Sequence, residues 1–208
     1  MRLLPCGDAA LMVELDDLSA VLALAAAIDA ERDGGGLAEV LDVVPASRTV
    51  LVRCRPVQGV VSRVAERLTE LDVTDHTNDE GPHVEIEVRY DGPDLSDVAG
   101  LTGLTEDDIV RLHTDADWTV AFTGFLPGFG YLVGGDERLV VPRRDEARTS
   151  VPAGSVGLAG EFTGAYPRES PGGWQLIGRT EERLWDPDRE PPALLAPGTR
   201  VTFVRADP

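Results

Sequence analysis

Lysine is absent from this chain of 208 residues, because all 19 of its basic residues are arginine. A Walker A loop needs a lysine after its glycines, so a standard P-loop nucleotide site is excluded. Schiff-base enzymes need a lysine amine, and a biotin carrier needs a lysine to modify. A phosphate or carboxylate bound by this chain must therefore contact arginine or backbone N–H groups.

Cysteine and histidine are scarce as well. Cys6 and Cys54 lie far apart and match no zinc spacing, so we interpret both as reduced, structural thiols. His76, His83 and His113 are scattered, and no two of them have the spacing of metal ligands. The sequence therefore predicts no metal site on this chain.

Long apolar runs and basic clusters are also missing. No run reaches the roughly 20 residues that a membrane span needs, and the apolar stretch near the N-terminus is too short for a signal peptide. The net charge is −18, from 19 basic and 37 acidic residues, which disfavours nucleic acid because phosphate contacts need clustered cations. We expect a globular, cytoplasmic protein that binds neither nucleic acid nor a membrane.

Strand and helix patterns alternate in the first part of the chain. Asp16 or Asp17 is placed to cap a helix that runs to about Arg32. We predict a small α+β domain over residues 1–80, βαββαβ-like in order, with an acidic, apolar-poor linker at 74–83. The predicted strands are 10–15, 38–44 and 48–54, and a second helix covers 57–71.

The pattern changes at residue 84 to short strands between Gly/Pro turns. Residues 84–90 alternate strictly between apolar and polar, as a half-buried strand does. A helix is predicted at 104–114, where Thr105 and Asp108 form a capping box. Many short strands with few helices favour a closed or nearly closed β-barrel over 84–208. Further strands are predicted at 118–123, 138–141, 155–163, 174–180 and 200–205.

The stretch "GFLPGFGYL" at 124–132 mixes turn residues with large apolar ones. Pro127 cannot donate to a strand ladder, and Gly128 allows backbone paths closed to other residues. The stretch therefore predicts a shaped loop that leaves a barrel strand. Its aromatic side chains either plug one end of the barrel or form the wall of a pocket where backbone approaches a ligand.

Three arginines lie close together at 143–148 in this acidic chain. Arg144 is interpreted as part of a solvated face, whereas Arg143 and Arg148 straddle a turn and are placed to converge on an anion. His113 lies beside an apolar helix stripe, which fits either a core histidine or a group that transfers a proton. These residues alone predict an acidic two-domain protein whose barrel binds a small anion.

Several motifs in order resemble one family. They are "YDGPDL" (90–95), "RLHT" (111–114), "GFLPGFGYL", "PRRDEAR" (142–148), "VPAGSVGLAG" (151–160), "TGAYPRESPGGWQLIGRT" (163–180) and "PGTRVTF" (197–203). Together they resemble the family that supplies the B subunit of ATP-dependent 5-oxoprolinase, also called the Kip-inhibitor (KipI) or allophanate-hydrolase-subunit-1 family.

The resemblance implies an α+β N-terminal domain followed by a cyclophilin-like β-barrel. It implies a partner, the KipA-like C subunit, whose barrel is related, and a third subunit. The complex would open 5-oxo-L-proline to L-glutamate using ATP with Mg²⁺. Related domains appear in urea amidolyase, where biotin is carried on another part of the protein, so no biotin is expected on this chain. Some family members are described as inhibitors of a sporulation histidine kinase.

Carried over to this chain, the resemblance supports His113, Arg143 and Arg148 as catalytic candidates. We also expect the chain to be inactive without its partner subunits. Substrate or phosphate would contact Gly124, Phe125, Pro127, Gly128, Phe129, Glu161, Tyr166, Ser170, Gly172, Gly173 and Trp174. Glu161 departs from the glutamine common in the family, and a carboxylate there would repel an anionic ligand. Two alternatives stay open: a histidine-kinase inhibitor, and a subunit of a related amidase or allophanate hydrolase with another substrate.

Overall fold

The computed structural model describes residues 1–71, 73 and 81–206. The chain divides into two compact units, Met1–Asp79 and Glu80–Pro208, which are described separately below. The predicted linker at 74–83 lies outside the described residues except for 81–83. The domain boundaries at 80 and 84 stay a prediction.

The first unit is a four-stranded antiparallel sheet with two helices. Asp17 begins the first helix, because its carboxylate accepts a hydrogen bond from Ala20 N at 2.8 Å. The strand order across the sheet is β1-β2-β4-β3, and its core joins strand residues such as Val13 and Val52 to Ile28 and Val64 of the helices. The elements are β1 (Arg2–Pro5), β2 (Ala10–Glu14), α1 (Leu18–Asp33), β3 (Val40–Pro45), β4 (Thr49–Cys54) and α2 (Val60–Glu70).

This order corrects the predicted βαββαβ pattern in two places. The short β1 was not predicted, since its four residues carry too little alternation to be distinguished from a loop. The predicted order assigns no residues to its last strand, and no strand follows α2 among the described residues of the first unit. The next strand, β5 (His83–Val88), belongs to the second unit, where it pairs in parallel with β13 (Arg200–Arg205).

The second unit is built on a seven-stranded, nearly closed sheet. Its remaining elements are α3 (Leu95–Thr102), α4 (Glu106–Asp115), β6 (Trp118–Thr123), β7 (Gly130–Val133), a 3-10 helix (Glu137–Leu139), β8 (Arg148–Val151), β9 (Ser155–Ala159), β10 (Phe162–Ala165), β11 (Ser170–Gly172) and β12 (Gln175–Arg179). The sheet order is β12-β9-β10-β7-β6-β13-β5, and β8 and β11 form a separate two-stranded ladder.

The two edge strands of the seven-stranded sheet meet at one bridge. Arg89, next to the end of β5, and Arg179 of β12 exchange backbone hydrogen bonds of 2.8 and 2.9 Å. Residues such as Ile86, Val156 and Phe203 point inward and are buried in one core with residues of α3 and α4. The expected barrel is therefore present as a mixed α/β unit whose sheet almost closes on itself.

Two predictions of secondary structure in this unit are wrong, and one helix was missed. Residues 138–141 do not form a strand: a 3-10 helix covers Glu137–Leu139, and the Asp136 carboxylate accepts from Arg138 N at its start. The strand predicted at 155–163 is two strands, because the chain reverses at Gly160, where φ is +59°. Helix α3 was not predicted, since its eight residues are too short to show a helical period.

No helix in the described ranges is long and apolar enough to cross a membrane.

Candidate functional site

Residues 124–129 form the hairpin loop between β6 and β7. The loop is closed by a hydrogen bond of 3.2 Å from Gly124 N to Phe129 O. Gly128 has a φ of +86°, and a Cβ added there would lie 2.8 Å from Trp185 Cβ. Glycine is therefore required at 128 both for the turn and for the close approach of the segment that carries Trp185.

Phe125 holds a strained backbone conformation at the tip of this loop. Its φ is +66°, in the left-handed region that costs a residue with a Cβ about 1–2 kcal/mol. The side chain is 56% exposed, so burial offsets little of that cost. Strain of this kind collects at binding and catalytic sites, which makes Phe125 a candidate for contact with a ligand or partner.

An open pocket of about 350 Å³ lies against the loop. That volume is within the range of small-molecule sites, and the exposed rings of Phe125 and Trp185 form part of its wall. Four predicted site residues, Gly124, Phe125, Pro127 and Gly128, line this pocket. The full lining is Thr123, Gly124, Phe125, Leu126, Pro127, Gly128, Trp185 and Ala193.

A buried aromatic cluster lies beneath the loop. It consists of Phe129, Tyr131, Tyr166 and Trp174, and the ring centroids of Phe129 lie 5.1, 5.2 and 5.3 Å from those of Tyr131, Tyr166 and Trp174. All three pairs are edge-to-face, the favourable geometry for aromatic rings. The predicted plug and the predicted pocket wall are both present: Phe129 is buried in the cluster while Phe125 stands above it, exposed.

Two arginines are close enough to the cluster to influence its tyrosines. Burial raises the pKa of the Tyr166 hydroxyl, while the Trp174 backbone N–H and the charges of Arg143 and Arg148 act in the opposite direction. Burial likewise raises the pKa of Tyr131, and Arg143 again opposes it. The hydroxyl of Tyr166 therefore stays protonated at neutral pH, among positive groups that favour an anion nearby.

The arginines that converge on one anion differ from the predicted pair. Arg144 Nη1 and Arg148 Nη2 each donate a hydrogen bond of 2.7 Å to Asp94 Oδ1. Asp94 lies just before α3 and is 1% exposed. The interpretation of Arg144 as part of a solvated face is wrong, because its guanidinium is needed to compensate this buried carboxylate.

Arg143 is not part of that ion pair. It is exposed, and within the described ranges no carboxylate lies at salt-bridge distance from it. Its charge acts on the hydroxyls of both Tyr131 and Tyr166 and opposes the rise of their pKa values. Arg143 is therefore available to a ligand or a partner, and Arg148 is partly committed to Asp94.

The remaining predicted residues of this region hold the arginine segment in place. Arg144 N donates to Gly173 O at 2.8 Å. A Cβ at Gly172 would overlap the Tyr166 hydroxyl, so glycine there lets β11 approach the aromatic cluster. Ser170 lies opposite Val151 in the β8–β11 ladder and is buried.

His113 lies inside the barrel rather than at a surface. It is 0% exposed, and its ring nitrogens lie 2.8 Å from the hydroxyls of Tyr90 (Nδ1) and Thr163 (Nε2). Burial lowers the pKa of His113 to about 3, so the ring is neutral at physiological pH. This geometry favours the core interpretation of His113 over proton transfer to a substrate.

Glu161 is not brought to the open pocket. It lies at the turn between β9 and β10 and lines a separate, small pocket of about 90 Å³ together with Trp118, Asp136 and Phe162. The expected repulsion of an anionic ligand by Glu161 therefore concerns that small pocket and not the pocket beside Phe125.

Sequence reasoning missed two polar residues of the site. Asp94 follows Gly-Pro in "YDGPDL", which resembles an ordinary helix start, yet its carboxylate makes no capping bond and instead bonds Arg144, Arg148 and Leu176 N. Gln175 is 6% exposed and donates from Nε2 to Pro142 O at 3.2 Å. In the described part of the chain, no group of three or more His, Cys, Asp or Glu side chains is placed to hold a metal ion.

Comparison with known proteins identifies the family of this chain. Residues 1–195 match the family model described as carboxyltransferase domain, subdomain C and D. A protein of Escherichia coli O157:H7 named as the B subunit of 5-oxoprolinase is 43% identical over 169 residues, 79% of this chain and 78% of that protein. Proteins of the same name from Bacillus subtilis and Haemophilus influenzae are 44% and 46% identical, over 72% and 70% of this chain and 63% and 68% of theirs.

Solved structures extend the similarity to the fold. The protein TTHA0988 has a TM-score of 0.78 and 34% identity over 96% of this chain, which spans only 40% of that longer protein. The urea carboxylase of Kluyveromyces lactis has a TM-score of 0.77 at 17% identity, over 99% of this chain and 22% of its own length, and shows the fold alone. By sequence and by fold, this chain belongs to the carboxyltransferase-domain family of subdomains C and D.

Proposed function

We propose that this chain is the B subunit of an ATP-dependent 5-oxoprolinase, which opens 5-oxo-L-proline to L-glutamate together with a KipA-like C subunit and a third subunit. The observation that carries the proposal is the identity of 43–46% to three proteins named as 5-oxoprolinase B subunits, over 70–79% of this chain. None of the comparisons above favours a histidine-kinase inhibitor or a subunit with another substrate.

The chemistry explains why such an enzyme would need charged donors. 5-Oxoproline is a stable lactam. Phosphorylation of its amide oxygen by ATP removes the amide resonance, so that water can add to the carbonyl carbon and the protonated ring nitrogen can leave; hydrolysis of the resulting acyl phosphate then releases phosphate and glutamate. The substrate carboxylate and the transferred phosphoryl group are both oxyanions, which arginine binds through paired N–H groups. Arg143 and Arg148 are the arginines of this chain that lie beside the aromatic cluster.

The residues of the site fit such a ligand in part. Arg143 is exposed, and the hydroxyl of Tyr166 and the backbone at Gly172 and Gly173 lie in the same region. When ATP binds, its Mg²⁺ would neutralise phosphate charge, and the arginines could contact phosphate oxygens. ATP, Mg²⁺ and a cyclophilin-like origin of the sheet remain predictions from the family resemblance.

The exposed loop supports a partner protein as its neighbour. Phe125 is strained and Trp185 is 40% exposed on the same open pocket. Exposed aromatic side chains of this kind are enriched where proteins bind one another. We propose that the KipA-like partner covers this loop and completes the site, so that the isolated chain has no activity. His113 would then support the barrel, and proton transfer would come from a partner.

Reconstitution tests the proposal. This chain, the KipA-like partner and the third subunit are assayed alone and together for glutamate released from 5-oxo-L-proline in the presence of ATP. We expect glutamate only from the full mixture, and a loss of at least tenfold in kcat/KM for an Arg143→Ala, Arg148→Ala double variant. Arg183→Ala, at an exposed arginine that pairs with Asp186, is the matched control. An assembled wild-type complex that releases no glutamate would refute the function.

A further inference from the structure

One buried carboxylate fixes the orientation of two guanidinium groups. Asp94 accepts 2.7 Å hydrogen bonds on Oδ1 from Arg144 Nη1 and Arg148 Nη2, and a third of 2.7 Å on Oδ2 from Leu176 N. Charge-assisted bonds of this length are among the strongest in proteins. Since Asp94 is 1% exposed, these bonds hold one Nη atom of each arginine at a buried carboxylate.

Arg148 is not saturated by this contact. Only its Nη2 bonds Asp94, while its Nη1 is buried and has no hydrogen-bond partner within the described ranges. A buried charged donor without a partner is costly, and native proteins seldom leave one. Either a ligand or an ordered water is therefore expected to accept a hydrogen bond from it.

A second buried polar atom without a partner belongs to the same ladder. Arg148 is opposite Gly172 and Ser170 is opposite Val151, with a register shift between the two pairs. Directly opposed residues share a face of a ladder, and Val151 is buried with the aromatic cluster. Ser170 therefore points toward that cluster. It is 8% exposed, and its Oγ has no partner among the described residues.

We propose that Arg148 Nη1 and Ser170 Oγ together bind one oxyanion of the ligand at the edge of the aromatic cluster, and that Asp94 is the positioning residue that directs Arg148 toward it. Arginine only donates and a serine hydroxyl can donate, so the ligand must accept and carry negative charge. The proposal rests on the proposed function and names the residues that would hold either the carboxylate of 5-oxoproline or a phosphate of ATP.

The first experiment separates the two ligands by kinetics in the assembled complex. KM for 5-oxo-L-proline and KM for ATP are measured for Ser170→Ala and Asp94→Asn. We expect one of the two KM values to rise roughly tenfold to a hundredfold in both variants, the range for a hydrogen bond to a charged group, while the other stays within twofold. A rise for 5-oxoproline identifies the carboxylate as the bound oxyanion, and a rise for ATP identifies the phosphate.

Matched variants control for general damage. Ser150→Ala removes an exposed hydroxyl from the same strand as Arg148, and Asp91→Asn removes the carboxylate of an exposed ion pair with Arg179. Both should leave the two KM values unchanged. Folding of every variant is checked by thermal unfolding, and Asp94→Glu serves as the conservative replacement if Asp94→Asn does not fold. A folded Ser170→Ala complex with both KM values within twofold of wild type overturns the proposal.

A second measurement does not depend on turnover. Guanidinium resonances of the ¹⁵N-labelled chain are followed by NMR during titration with acetate and with inorganic phosphate. We expect the Arg148 resonances to shift in the wild type and to shift at least tenfold more weakly at equal concentration in Ser170→Ala. This result would stand even if the complex released no glutamate. Equal shifts in both proteins, or none with either anion, would mean that the site holds only water.

Discussion

Acidification should weaken the second unit through His113. The ring is 0% exposed and bonded through both nitrogens, and burial lowers its pKa to about 3. In the unfolded chain a histidine has a pKa near 6.5. Below pH 6.5 the unfolded state therefore binds a proton that the folded state does not, and stability must fall as the pH falls.

The size of the effect follows from these two pKa values. The contribution of His113 is fully present above about pH 6.5 and is lost at about 1.4 kcal/mol per pH unit as the pH falls toward 3. Between pH 7.5 and pH 5.5 the loss amounts to about 1.4 kcal/mol in the free energy of unfolding. This window lies above the range in which ordinary carboxyl groups titrate.

Tryptophan fluorescence makes the measurement specific to the second unit. All three tryptophans of the chain lie there, and Trp118 packs on His113 at a ring-centroid distance of 5.2 Å. Urea unfolding at pH 7.5 and 5.5 gives the loss for the wild type and for His113→Gln, which keeps polar atoms but does not titrate. We expect the variant to be less stable overall and to lose about 1.4 kcal/mol less on acidification.

The matched control is His83→Gln, the same change at an exposed ring that bonds Thr202. It should retain the full loss on acidification. The reasoning fails if His113→Gln has the same pH dependence as wild type, or if the His113 ring titrates above pH 5.5 by NMR in the folded chain. The second result would also restore His113 as a candidate for proton transfer.

Two further predictions concern the loop and the aromatic cluster. Phe125→Asn should keep a free energy of unfolding within about 1 kcal/mol of wild type, because released backbone strain offsets the lost aromatic contact. The same variant should weaken pull-down of the KipA-like partner at least tenfold. A loss of stability above about 2 kcal/mol by urea unfolding would assign Phe125 to folding instead. Gly172→Ala should cost about 1–3 kcal/mol through overlap with the Tyr166 hydroxyl. In a Tyr166→Phe background this cost should fall, and an equal cost in both backgrounds would exclude the overlap as its cause.

The elements that the sequence predicted well are those with a local signal. Strand 118–123 alternates clearly, and the capping box at Thr105 predicted the start of α4, where the threonine hydroxyl accepts from Asp108 N. The wrong strand at 138–141 shows the limit of this reasoning. Its apolar residues Leu139 and Val141 are buried, but the hydrogen bond that Asp136 accepts from Arg138 N favours a 3-10 turn, which an apolar pattern alone does not distinguish from a strand.

The candidate site was predictable only in part, for a related reason. The loop at 124–129 was identified because glycine, proline and aromatic residues are close in sequence. The ion pairs of Asp94 join residues that are 50 and 54 positions apart, and nothing in the local sequence around Asp94 or Arg144 indicates the contact. A pairing at that separation is fixed by the fold that brings α3 and β8 together, so only the structure could reveal which arginines share an anion.

The absence of lysine has a structural consequence at Asp94. A lysine ammonium is a point charge whose donors rotate freely, whereas the donors of a guanidinium lie in one plane. Once Asp94 holds Nη2 of Arg148, Nη1 of the same planar group is confined to the neighbourhood of that carboxylate. A lysine at 148 would neutralise the charge of Asp94 equally well, but it would offer a ligand no second donor held in the same plane. Two arginines can therefore share one buried carboxylate and still present directed donors to a ligand, which is what an arginine-only chain needs in order to bind an oxyanion.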